Sequence, residues 1–146
     1  MMQEEHKDKA KLIYLSAMLL GAVCFIAVYG TRVLNPTYDA WLLGRGDLTQ
    51  HYLGWCFFRR GAWTFPFGLT YGLAYPDYSS IIFTDSIPFF AFLFKLLSPV
   101  LPEPFQYFGW WGIACFMLQG LFAAKILDEL CVGRLQTLAG SFLFIL

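Results

Sequence analysis

Charge is what this chain has least of. Asp, Glu, Lys and Arg make up 14% of its 146 residues, whereas hydrophobic residues make up 58%. Water-soluble domains carry about a quarter charged residues, so a domain wholly dissolved in water is excluded. The formal net charge is zero, which leaves no basic footprint for nucleic acid. No metal-ligand spacing, Gly-rich phosphate loop, nucleophile elbow or His-Glu zinc motif occurs, so the motifs predict no metal site. The four cysteines form no disulfide framework. Cys24 and Cys115 fall inside apolar runs, where a thiol behaves as a small hydrophobe, and spacing alone cannot pair Cys56 with Cys131.

Long apolar runs and aromatic rings fill the space left by charge, with 16 Phe, 8 Tyr and 5 Trp. Residues 1–11 read as a polar cytoplasmic tail. Leu12–Gly30 holds no charge across 19 residues, close to the roughly 20 needed to cross the hydrocarbon core. Ile81–Ser98 reads as a second span, with Lys95 snorkelling near its end. Phe105–Leu127 reads as a third, with Gln119 as a central helix–helix hydrogen-bonding residue. Leu135–Leu146 is apolar but only 12 residues long, which suggests the start of a truncated fourth span. The expected fold class is therefore an all-α membrane protein of three complete transmembrane helices plus a partial fourth. The rest of a longer chain is an expected partner, as is membrane lipid.

Between the first two spans lies a long segment, residues 31–80, with six glycines and the pairs Asn35-Pro36, Phe65-Pro66 and Tyr75-Pro76. It is too Pro- and Gly-rich for a span and too aromatic for a disordered linker, so it reads as an ordered outer loop on the membrane surface. Asp47 followed by Gln50 forms a capping-box pattern. Leu48, Tyr52, Trp55 and Arg59 then share one helical face, which predicts an interfacial amphipathic helix over about 48–60. Lys7, Lys9 and Lys11 favour an N-terminus inside.

Two carboxylates are the candidate catalytic groups. Asp47 is either a helix cap or a general base at the membrane surface, with His51 one turn on. Asp85, in Phe83-Thr84-Asp85-Ser86-Ile87-Pro88, falls at the outer end of the second span, where an ionisable group marks function unless it caps a helix. Arg45, Arg59 and Arg60 offer planar forks for phosphate oxygens, or attraction to anionic headgroups.

The stretches from Gly46 to Trp55 and from Phe83 to Pro88, with Phe94–Pro99 and Pro104–Gly109, resemble a bacterial family of large polytopic membrane proteins of unassigned function. A long first outer loop bearing an Asp ahead of an amphipathic helix is similar to the GT-C glycosyltransferase superfamily. That resemblance implies sugar transfer from a polyprenyl-phosphate donor at the outer face of the bacterial inner membrane. It implies Asp47 as base and Asp85 as a second acid of less defined role. Arg45, His51, Tyr52, Arg59 and Arg60 are the candidate substrate contacts. The paired acids of better-known members are missing, which leaves open whether a divalent cation takes part. Acceptor-binding parts lie beyond this sequence, so the piece alone is expected to be inactive. A transporter or flippase and a non-catalytic membrane assembly subunit are the alternatives.

Overall fold

The computed structural model describes residues 2–44, 46–130 and 133–146, with side chains from Ala10 onward. The chain folds as two units, one formed by residues up to Leu34 together with Gly109 onward, the other by Asn35–Phe108.

The first unit holds α1 (Met2–Tyr29), a 3-10 turn (Thr31–Leu34), α4 (Phe108–Glu129) and α5 (Arg134–Ile145). Ala10–Tyr29 and Phe108–Glu129 are long and apolar enough to cross a membrane, at mean hydropathies of 2.3 and 1.4. Only 22% and 17% of these stretches are buried within the protein, the reverse of a soluble core helix. Small residues let α1 and α4 approach: a side chain at Gly21 would strike the backbone of Phe116, and one at Gly120 the backbone of Ala17. Close approach through small residues is how helices associate in lipid. Gln119 lies outside this seam and is exposed. In α5, Thr137, Ser141 and Ile145 form the buried stripe at four-residue spacing, and the helix has 12 residues.

The second unit departs from the expected fold in three ways. The first is a small sheet. β1 (Leu69–Ala74) and β2 (Asp77–Ser80) pair antiparallel, with Leu69 opposite Ser80, Thr70 opposite Ser79 and Ala74 opposite Asp77. The chain is mostly helical but not all-α.

The second departure concerns Ile81–Ser98, which is not a span. It breaks into a 3-10 turn (Ile81–Thr84), a tight bend, and α3 (Pro88–Leu96) of nine residues. Nine residues reach about 14 Å, half a hydrocarbon core. The bend is built from Asp85 (φ 49°) and Ile87 (φ 51°), both in the left-handed region. That conformation is unusual for a β-branched residue, and Pro88 can only begin a helix there, not continue one. Lys95 therefore does not snorkel. It is 5% exposed, its ammonium 4.0 Å from the Phe58 ring centre and 4.7 Å from that of Trp63, and burial pushes its pKa down.

The third concerns α2 (Asp47–Arg60). It occupies the expected stretch, but its aromatic face meets protein. Tyr52, Trp55 and Phe58 enter a core with Leu42, Ile81, Phe105, Tyr107 and Phe108. Trp55 is fully buried and donates from Nε1 to the Phe105 carbonyl at 2.9 Å. Its ring lies 5.2 Å from Tyr107, which stacks on Phe108 at 4.6 Å. Each such aromatic pair adds roughly 0.5–1.5 kcal/mol beyond area burial.

Candidate functional site

Asp47 opens α2 but does not cap it. Gly46 holds the cap position at φ 97°, with no side-chain cap bond, so the capping box does not form. Gln50 instead reaches across to donate to the Phe83 carbonyl at 3.3 Å. Asp47 is exposed, and a carboxylate in the first turn complements the helix dipole.

Asp47, His51 and Gly54 follow at three- and four-residue spacing and so share a face of α2. That face meets the bend bearing Asp85. His51 Nδ1 lies 2.8 Å from the Thr84 carbonyl. Ser86 Oγ donates to the His51 carbonyl at 2.6 Å and lies 2.7 Å from Thr84 Oγ1. A side chain at Gly54 would collide with both Thr84 and Ser86, so glycine sets how closely the helix approaches the bend. From the far side Tyr107 donates its hydroxyl to the Ser86 carbonyl. Ser86 is fully buried, while Asp85 beside it is exposed. The two positive-φ residues thus flank a pinned serine, and strain of this kind persists only where the surroundings over-determine it. Because a carbonyl can only accept, this contact requires a proton on His51 Nδ1, and in the neutral ring Nε2 is then an acceptor.

Beside this junction runs a groove of about 490 Å³. Its lining mixes the polar side chains of Thr49, Gln50 and Thr84 with the apolar ones of Leu53, Phe57 and Leu73, beside Gly44 and Gly46. Asp47 and Asp85 each follow a lining residue in sequence, Gly46 and Thr84, without lining the groove themselves. Its size suits a ligand site.

The arginines do other work. Arg59 donates to the carbonyls of Pro102 at 2.9 Å and Leu101 at 3.1 Å, and its guanidinium lies 6.0 Å from the Trp55 ring centre. It staples α2 to the segment after α3 and is not poised for phosphate. Arg60 pairs with Glu103, with Nε at 2.9 Å from Oε1, which holds the Glu103 carboxyl below its usual range. Arg45 lies outside the described residues, as does Cys131.

Tyr52 is not a surface contact either. It is 3% exposed and donates to Asp39 Oδ2 at 2.9 Å. Burial first, and then that bond, push its phenol pKa up. Asp39, Tyr52, Cys56, Arg60 and Glu103 line a second, smaller cavity of about 190 Å³, where burial also raises the Cys56 thiol. Asp39 was not among the sequence candidates. It has no motif around it, and only the fold brings it to Tyr52, which sits 13 residues away. Among the described residues no group of three His, Cys, Asp or Glu side chains could hold a metal ion.

Residues 18–146 match the model of a family described as a domain of unknown function, DUF6311. No curated protein and no solved structure matches the chain. The chain belongs to the DUF6311 family.

Proposed function

We propose that this DUF6311 chain is the N-terminal part of a membrane glycosyltransferase that takes a sugar from a polyprenyl-phosphate donor. One observation carries the reading. Two exposed carboxylates stand on segments tied by hydrogen bonds, each next in sequence to a residue lining a groove of mixed polar and apolar side chains. A lipid-linked sugar has the same two-part chemistry, and in sequence the unit runs between two helices able to cross a membrane.

Asp47 acts as general base. It takes the proton of an acceptor hydroxyl as that oxygen bonds to the anomeric carbon, while the carbon–oxygen bond to the phosphate breaks and polyprenyl phosphate leaves. Charge develops on the sugar ring as in other glycosyl transfers, and Asp85 faces it as the second carboxylate. His51 Nε2 accepts a hydrogen bond from the sugar or acceptor. The described residues do not fit a divalent cation, so no step is routed through one. The setting is the outer face of a bacterial inner membrane, with the N-terminus inside.

The transporter alternative would use Asp85 in a proton or substrate path and gains from an acid within a span. Asp85 sits instead in a bend between two short helical pieces, which favours the transferase reading. The test is sugar transfer by the native polypeptide in its membrane. Asp47→Asn removes turnover by two or more orders of magnitude, the scale of general-base catalysis, with the fold unchanged by circular dichroism. Wild-type turnover in that variant would overturn the base assignment.

A further inference from the structure

The hairpin β1–β2 has one covered face and one open face. Thr70 and Gly72 both lie against α2, although the ladder shifts register between Thr70 and Ala74. Thr70 is 2% exposed, and a side chain at Gly72 would strike the ring of Phe57, so this side lies on α2. Tyr71 points the other way. It is 47% exposed and meets Tyr75 at 5.7 Å and Tyr78 at 5.3 Å, which are 77% and 55% exposed. Just ahead of β1, Phe65 and Phe67 lie 5.9 Å apart at 87% and 69% exposure. These rings are held against one another in an ordered structure, and contiguous exposed aromatic surface of this kind marks a contact site.

We infer that the open face of the hairpin, with the Phe65–Phe67 pair leading into it, rests in the headgroup–acyl boundary of a bilayer. Two features choose lipid as the occupant. Both ends of the unit continue within a few residues into helices apolar enough to cross a membrane, so the hairpin is tethered where a bilayer would be. Its chemistry is that of the interfacial aromatic belt, where tyrosine rings sit in the apolar layer and their hydroxyls in the headgroups. From Gly61 to Phe94 the chain has no Lys or Arg, and Asp77 and Asp85 are its only charges. Docking is therefore aromatic and not electrostatic, unlike that of basic surface helices. It holds whether or not the chain transfers sugars.

The experiment places one added tryptophan in Phe65→Trp and another in Tyr78→Trp, in the chain reconstituted into phosphatidylcholine vesicles. Each is read as the difference in emission from the parent chain. The expected result is a blue-shifted added emission that loses most of its intensity to phospholipids brominated near the headgroup end of the acyl chain. It resists aqueous acrylamide and is unchanged by high salt or added anionic lipid. Acrylamide quenching without bromolipid quenching at either position overturns the inference, because the face is then in water. Shielding from both quenchers also overturns it, and identifies protein, a second copy or another segment, as the cover. A bromolipid effect that appears only with anionic lipid overturns the non-electrostatic mode.

Discussion

The two units solve the burial problem in opposite ways. In the first, the helices able to cross a membrane keep most of their apolar surface outward, and meet each other through Gly21, Gly120 and Ala17. In the second, Trp55, Phe58 and Tyr107 are buried while Asp47 and Asp85 stand outside, and backbone carbonyls are matched by side chains such as Arg59, His51 and Trp55. Lipid removes the hydrophobic drive between helices, so packing rests on close fit. The hydrophobic effect supplies that drive where apolar side chains can leave water, and in the second unit the aromatic residues are packed inward. The lesson is that an aromatic-rich segment between two helices able to cross a membrane need not be a surface skin. It can be a domain with its own core.

The largest expected effect breaks the second unit alone. Trp55→Ala removes a fully buried indole and costs about 3–5 kcal/mol. Limited proteolysis in detergent then cleaves within residues 35–108 while the helices of the first unit stay protected. Equal loss of protection in both units would show that the division is not energetic. Next, Gly54→Ala drives a methyl group into Thr84 and Ser86 and costs about 1–3 kcal/mol. The melting temperature falls, and the α2–bend junction opens first, as seen by faster amide exchange at Ser86.

Alkaline titration sharpens the comparison further. Tyr52 and Tyr107 have folded pKa values raised above the ordinary 10.0, in both cases chiefly by burial. Protonated phenols are thus favoured in the folded state, and their contribution is whole below pH 10. As pH rises beyond it, the unfolded chain releases protons that the folded chain keeps, so stability declines. Phenolate absorbance from these two residues should appear only with unfolding of the second unit, and early, reversible ionisation of both would contradict their burial. Smaller still, Ser86→Ala loses its bond to the His51 carbonyl for about 1 kcal/mol, read by chemical denaturation. The smallest effect is Arg60→Ala. Its exposed pair with Glu103 is screened by solvent and salt, and denaturation midpoints should not move measurably.

How much of this was legible beforehand depends on the range of the interaction. The first span and the helix at 47–60 follow from hydropathy and from 3.6-residue spacing, which are local. The second apparent span misled because a run such as Ile81–Ser98 has a span's composition, while its bend at Asp85 and Ile87 is imposed by contacts with His51 and Tyr107 far along the chain. The candidate site divides in the same way. Asp47 and His51 stand out at the head of an amphipathic helix and Asp85 as a lone charge in an apolar stretch, and the fold brings their segments together. Arg59 and Arg60 stood out as well, yet their partners, the carbonyls of Leu101 and Pro102 and the carboxylate of Glu103, lie more than forty residues on. Asp39 carries no local signal at all.

Composition by itself determined that this polypeptide is too apolar for an ordinary water-soluble domain, and uncharged apolar runs determined where its longest helices lie, because both depend on the free energy of transferring single residues. Only the tertiary structure decided which aromatic rings face protein, which charges are already spent on partners, and which segments bearing carboxylates are tied together. Those are properties of pairs distant in sequence, and chain entropy leaves such pairs unspecified until the whole core closes around them.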